Sequence, residues 1–155
     1  LHIWEYEDLN HRSKIRSQVV KDGIWPPQNN PILLNQQVDI FFPAPFMPKF
    51  DRNRNIGPIF ELRLYKYPPG TIPLVIDAWS EKIESRMTLC PPVGIWYSEL
   101  GGVNQWAHMW AYESFEHRIE ARKQFQSIGW PPDSSVSPLS MQNMIMLAAK
   151  FSPIQ

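Results

Sequence analysis

Residues 107–128 read AHMWAYESFEHRIEARKQFQSI, and residues 1–22 read LHIWEYEDLNHRSKIRSQVVKD. Eight of the 22 aligned positions are identical, and the matches include tryptophan and histidine, which are uncommon residues. After a one-residue slip the similarity resumes, with Trp-Pro-Pro at residues 25–27 and again at 130–132. The chain therefore contains an internal repeat, which predicts two copies of one supersecondary unit.

A segment without a counterpart, residues 58–106, separates the two copies. The simplest interpretation is a tandem duplication, in which residues 58–155 form one complete unit and residues 1–48 form the back half of an earlier unit. By analogy with the complete unit, about 50 further residues of strand, helix and strand are expected before Leu1. Residues 49–57 combine Asn, Gly and charge without a period, which predicts a linker. The half unit is expected to dock on the complete unit or on a second copy rather than fold alone.

The complete unit shows the two periods of regular structure. Alternating apolar and polar residues predict strands, and apolar residues at helical spacing predict helices. The predicted elements are strand 59–67, helix 72–87, strand 93–99, strand 104–112, helix 115–126 and strand 141–148. This order predicts an α+β fold, a ferredoxin-like βαββαβ unit preceded by a βαβ half unit with a last strand at 37–44.

The strand 104–112 alternates large aromatic with small side chains. Trp106, His108, Trp110 and Tyr112 lie on one side, whereas the other side is small and is expected to lie under a helix. The aromatic side chains, together with Trp4 in the first copy, are therefore predicted on the bare sheet face and buried against a partner. That partner is another unit or chain, or a ligand in a pocket between the sheets. The pocket or interface candidates are His2, Trp4, Tyr65, Tyr97, Trp106, His108 and Trp110.

Arg12 and Arg118 occupy equivalent positions at the start of the two repeated helices. Each could bind an anion, but a structural pair with a nearby carboxylate or carbonyl is the favoured interpretation. Glu61 and Glu99 could support acid–base chemistry if a cleft brought them together. The sequence contains no nucleophile elbow, P-loop or dinucleotide fingerprint, so the catalytic residues are unknown.

The composition excludes several classes of protein. With 15 basic and 15 acidic residues the net charge is zero, which argues against nucleic acid as the partner. Hydrophobic residues make up 43 % of the chain, which argues against disorder. Four histidines and the single Cys90 show no ligand spacing, so no metal site is predicted. No apolar run is long enough to predict a transmembrane segment.

Several motifs in combination resemble the NIPSNAP family. They are FELRLY at residues 60–65 followed by PGT, VGIWYSELGGVNQ at 93–105, the two copies of His-x-Trp-x-Tyr with His-Arg, and QNM with FSP near residue 150. The resemblance implies tandem ferredoxin-like units of the dimeric α+β barrel type. It also implies a mitochondrial adaptor or scaffold with protein partners, which recruits autophagy machinery or acts in vesicle transport. A homo-oligomer, or a pseudo-dimer of the two units, is expected.

The alternative function is a small-molecule or haem-binding enzyme of the dimeric α+β barrel superfamily that uses the aromatic face. His2 or His108 would then be a general base or an axial haem ligand. Apart from haem, no cofactor is expected. For the adaptor function, residues 6–9 and 97–100 fit an aromatic-x-x-aliphatic docking motif, which must be extended and accessible to bind.

Overall fold

The computed structural model describes residues 1–26, 34–51 and 56–154. Two compact units follow each other along the chain, Leu1–Gln37 and Val38–Gln155. The boundaries predicted from the repeat, at residues 48 and 58, stay a prediction. The elements are α1 (Leu9–Lys21), β1 (Ile40–Pro43), β2 (Ile59–Lys66), α2 (Ile72–Ser80), α3 (Ile83–Leu89), β3 (Pro92–Leu100), β4 (Gln105–Tyr112), α4 (Phe115–Ser127) and β5 (Ser140–Leu147).

The first unit consists of α1 and the segment that leads into it. The Asp8 side chain caps the helix, accepting a hydrogen bond from the His11 amide at 2.7 Å. The helix stops before Gly23, whose φ of +68° is the left-handed conformation that favours glycine. No residue of α1 is buried.

The second unit contains one antiparallel sheet with the strand order β1-β3-β4-β2-β5. Without β1, the order β3-β4-β2-β5 and the intervening helices form the predicted ferredoxin-like βαββαβ unit, so the fold prediction is confirmed. The strand predicted to end the first copy becomes β1. It extends this sheet at the β3 edge, with Ile40 opposite Leu100 and Pro43 opposite Trp96.

The helix predicted over residues 72–87 is divided into α2 and α3. The Lys82 amide bonds to the Trp79 carbonyl at 3.1 Å, which closes a tighter turn between the two helices. Trp79, Ile83 and Arg86 are nevertheless all buried. The two short helices therefore share one continuous buried face in spite of the break between them.

The prediction that the aromatic side chains lie on the bare sheet face is wrong. Trp106, Trp110 and Tyr112 pack in one core cluster with residues of α2, α3 and α4, including Trp79 and Phe125. The opposite face carries a second cluster around Phe60, Leu62, Val93, Met109 and Ala111. Alternation along a strand separates two faces but does not say which one a helix covers. Large rings bury more apolar area under the helices than the small residues could.

Candidate functional site

The candidate site is the helix-covered side of β2 and β4, which we call the aromatic face: Tyr65, Trp106, His108, Trp110 and Tyr112. The pairing of the strands places Arg63 opposite His108 and Tyr65 opposite Trp106. Trp106 is 0 % and Trp110 2 % exposed. The Trp79 ring covers the face, with centroids 5.0 Å from Trp106 and 4.9 Å from His108. The protein's own side chains therefore fill this face.

His108 is held in one tautomer. Its Nδ1 accepts a hydrogen bond from Trp110 Nε1 at 2.6 Å, so the ring proton is on Nε2. No group in the described residues accepts from that buried Nε2. Burial, reinforced by the positive charges of Arg63 and Arg86, lowers the pKa of His108 well below its usual value. His108 is therefore a neutral imidazole at physiological pH, with no free lone pair to act as a base.

Haem does not fit at His108. An axial ligand must present a free nitrogen lone pair to the iron. Nδ1 is occupied by Trp110, and Nε2 carries the proton within an imidazole that is 4 % exposed. The rings of Trp79 and Tyr65 approach the imidazole to centroid distances of 4.9 and 5.1 Å. A porphyrin would require these rings to move aside.

Glu61 is the centre of a charged cluster beside the aromatic face. Its carboxylate is completely buried. Arg118 Nε and Nη2 donate to its two oxygens at 2.9 and 2.8 Å, and Arg63 Nε donates at 3.0 Å. Asn143 Nδ2 on β5 lies 3.5 Å away, and Arg63 Nη1 donates to the Tyr65 hydroxyl at 2.8 Å. The cluster joins α4 to the sheet through a bidentate ion pair.

Glu61 has a structural role rather than a chemical one. Burial by itself raises the pKa, but the hydrogen bond from Arg118 and the charges of Arg63 and Arg118 outweigh it and lower the pKa to about 2. The carboxylate is therefore ionised at neutral pH, and both oxygens already accept hydrogen bonds. It is a poor general base and no proton donor. Glu99, the other carboxylate considered, is exposed on β3 and separated from β2 by β4.

Arg86 on α3 is a buried cation that the sequence analysis did not single out. Its guanidinium carbon lies 3.2 Å from the centre of the Phe125 ring and 3.6 Å from that of Trp110. Nη1 donates to the Cys90 carbonyl at 2.9 Å, and no carboxylate of the described chain forms an ion pair with it. Burial lowers the pKa of Arg86 to about 10. The ring faces thus stabilise a charge without a counter-ion. In the sequence, Arg86 lies at helical spacing from the apolar residues Trp79 and Ile83, and this spacing could have indicated that Arg86 is buried.

The structure does not bring all candidate residues together. Trp4 is 66 % exposed, so the expectation that it is mostly buried fails in this chain. His2, also exposed, contacts Trp4 and Trp25 with centroid distances of 6.5 and 6.3 Å. Tyr97 is half-buried beside Phe42 at the β1 edge, at 6.1 Å. Tyr65 is half-buried and joins the aromatic face to the charged cluster.

Neither aromatic-x-x-aliphatic motif is available as a docking peptide. Leu9 is the first residue of α1, so the segment from Tyr6 to Leu9 turns into a helix. Tyr97 to Leu100 lies in β3, which is paired with β1 on one edge and β4 on the other. A docking segment must offer a free edge. The interpretation of these two segments as docking motifs is therefore wrong.

The two edge strands of the sheet are β1 and β5, and β5 is the longer one. It pairs with β2, and in the described part of the chain no strand pairs with its other edge. Met141, Ile145 and Leu147 project from one side of β5 and are 65, 44 and 75 % exposed. An edge strand with exposed apolar side chains is a surface for another polypeptide. The sequence predicted the strand but not its exposure.

Among the described residues, no three His, Cys, Asp or Glu side chains cluster as metal ligands. A pocket of about 160 Å³ lies beside Cys90, Glu113 and His117. The Cys90 thiol donates to the Ala111 carbonyl at 3.5 Å, and His117 Nδ1 accepts from the Glu113 amide at 3.3 Å. No helix in residues 1–26, 34–51 and 56–154 has the length and hydropathy of a membrane span.

These features define an α+β protein with a ferredoxin-like unit, a helix-covered aromatic face and an internal repeat. The NIPSNAP family model matches residues 1–48 and 60–153, and the chain belongs to that family. It is 26 % identical to human protein NipSnap homolog 3A over 164 residues. That match covers 99 % of this chain and 66 % of the relative, so the chain spans less than two thirds of that protein.

Other relatives match shorter parts. Protein NipSnap homolog of Dictyostelium discoideum is 35 % identical over 79 residues, which is 51 % of this chain and 35 % of the relative. A NIPSNAP family protein of Agrobacterium tumefaciens superposes with a TM-score of 0.56 at 29 % identity, covering 61 % of this chain and 96 % of that one. A NIPSNAP-like domain protein of Burkholderia xenovorans gives 0.54 at 26 % identity, with 64 % and 91 % covered.

Proposed function

We propose that this chain is a mitochondrial adaptor or scaffold that binds other proteins and recruits autophagy machinery. One observation carries the proposal: the aromatic face, the best candidate for a ligand pocket, is filled by Trp79 and the other side chains of its own core. The edge strand β5, with the exposed Met141, Ile145 and Leu147, offers an apolar surface for such a partner. Strand addition at such an edge provides backbone hydrogen bonds and apolar contacts together.

The enzymatic alternative finds less support. Acid–base chemistry needs a group whose pKa lies near the working pH. The pKa of Glu61 is lowered to about 2, and the pKa of His108 is lowered well below its usual value. The aromatic face also carries two hydroxyls: that of Tyr65 accepts a hydrogen bond from Arg63, and burial raises the pKa of Tyr112 to about 12. These groups support folding of the unit rather than turnover.

Proximity labelling in cells tests the adaptor function. The chain is fused to a labelling enzyme, and its neighbours are identified before and after the mitochondrial membrane potential is abolished. We expect mitochondrial proteins under both conditions and autophagy proteins after the loss of potential. Enrichment of vesicle-transport proteins instead would favour the transport role that the sequence also suggested. Labelling no different from that of the free enzyme would refute both roles.

A matched pair of variants tests whether the partner binds at the β5 surface. The double variant Ile145→Lys, Leu147→Lys places charge on β5 and should abolish the labelling of autophagy proteins. Leu74→Lys changes a 47 % exposed residue of α2 and should leave it unchanged. Circular dichroism of both variants checks that the fold is retained. Equal losses in the two variants would argue against the β5 surface.

A further inference from the structure

Cys90 is the single cysteine of the chain and directly follows the last residue of α3. The residue is 4 % exposed, yet it lines the pocket of about 160 Å³ described above. Glu113 and His117, which are both exposed, line the same pocket. A cavity of this size has room for water and for molecules of a few heavy atoms. A small reagent can therefore reach Cys90 from solvent.

The Arg86 guanidinium contacts Cys90 through the backbone and through the side chain. Nη1 donates to the Cys90 carbonyl at 2.9 Å. Burial lowers the pKa of Arg86 to about 10, whereas the side chains of Cys90 and Tyr112 act in the opposite direction as hydrogen-bond partners. Arg86 therefore keeps its charge at neutral pH. A guanidinium beside a thiol stabilises the thiolate, which is the nucleophilic form of cysteine.

Arg86 has a greater capacity to bind an anion than the described chain uses. It is 2 % exposed, and its Nε has no hydrogen-bond partner within residues 1–26, 34–51 and 56–154. In the same ranges no carboxylate pairs with it. A buried donor without an acceptor and a buried charge without a counter-ion both cost free energy. A negatively charged oxygen on the Cys90 sulfur would provide the acceptor and the counter-ion together.

We propose that Cys90 is a peroxide-reactive thiol, which hydrogen peroxide oxidises to a sulfenic acid within this pocket. The thiol first loses its proton to solvent. The thiolate sulfur then attacks one peroxide oxygen, so that an S–O bond forms as the O–O bond breaks, and the departing hydroxide takes up a proton to become water. The sulfur loses two electrons and the peroxide gains them. This inference rests on the second unit alone and is independent of the adaptor role.

Trapping with dimedone, which reacts with sulfenic acids, tests the proposal on the full chain. The reduced chain is mixed with hydrogen peroxide and excess dimedone, and intact mass follows the adduct, whose position is unambiguous because the chain has one cysteine. The measurement is repeated in urea. An inert buried thiol reacts faster once unfolding exposes it, whereas a thiol activated by Arg86 reacts more slowly. We expect the folded chain to react at least about tenfold faster than the unfolded chain.

An equal or faster reaction in urea would overturn the proposal, because it would mean that the fold only shields Cys90. That comparison uses the unchanged chain and does not depend on the folding of any variant.

Variants of Arg86 separate its charge from its packing. Arg86→Gln removes the charge and should slow the reaction of the folded chain at least about tenfold, whereas Arg86→Lys keeps the charge and should slow it less. Arg122→Gln is the matched control, because Arg122 is exposed on α4, and it should change the rate less than twofold. Far-UV circular dichroism identifies the variants that fold. Equal rates for folded Arg86→Gln and Arg122→Gln would overturn the activating role of Arg86.

Discussion

Trp4 and Trp110 have the same place in the repeat, yet Trp4 is 66 % exposed and Trp110 is 2 % exposed. The same contrast separates Arg12 from Arg118, since Arg118 forms a bidentate pair with Glu61. The local geometry of the two copies is nevertheless alike. Short-range sequence therefore fixes the turn and the helix start, whereas burial and charge pairing depend on β2 and on α2 to α4. We therefore expect equivalent substitutions in the two copies to change the free energy of unfolding by different amounts wherever the residue in the second copy contacts β2 or α2 to α4.

The largest difference is expected at the tryptophans. Trp110→Ala removes a buried ring that contacts Arg86 and donates to His108. It should lower the free energy of unfolding by about 3–5 kcal/mol. Trp4→Ala should lower it by less than about 0.5 kcal/mol. Urea unfolding followed by far-UV circular dichroism measures both, and equal losses would mean that Trp4 is buried in solution.

The pH dependence of stability should come from Glu61. Its folded pKa of about 2 lies below the ordinary value of 4.5. It therefore stabilises the fold above pH 4.5, and this contribution is lost as the pH falls through the folded pKa. The loss should be roughly 3 kcal/mol, from about 1.4 kcal/mol per pKa unit. In Glu61→Gln the decline over this range should be smaller by that amount, whereas Glu113→Gln, on an exposed residue, should follow the unchanged chain.

An intermediate difference is expected at the arginines. Arg118→Ala leaves the buried Glu61 carboxylate with fewer donors and should cost about 1–3 kcal/mol. Arg12→Ala should be within about 0.5 kcal/mol of the unchanged chain. Thermal unfolding at neutral pH compares the two. An effect of Arg12→Ala as large as that of Arg118→Ala would contradict this expected difference.

The smallest effect should be the same in both copies. Asp8 caps α1 and Ser114 caps α4, each accepting from an amide three residues later. Asp8→Ala and Ser114→Ala should each destabilise the first turn of their helix by about 1 kcal/mol. Amide hydrogen exchange in these turns provides the measurement. Unequal losses would contradict the view that the helix start is a local property.

The fold was predictable because its signals are local. Alternation predicted β2, β3, β4 and β5, apolar spacing predicted the helices, and their order predicted the ferredoxin-like unit. The covered face was not predictable, because a strand presents two faces and only its neighbours decide which one is buried. Glu61 was noticed as a carboxylate, but its role depends on Arg118, which is 57 residues away in sequence. The burial of Arg86 likewise required Phe125 and Trp110 to enclose it.

The sequence by itself determined the repeat, the α+β class and the family to which this chain belongs, since each depends on residue types at short or fixed spacing. Only the tertiary structure decided which side of the sheet the helices cover, that Arg63 and Arg118 both donate to Glu61, and that β1 extends the sheet. It alone decided that His108 is a neutral core residue and that β5 is an edge strand with exposed apolar side chains. These outcomes depend on contacts between distant parts of the chain, whose burial and charge no local pattern encodes.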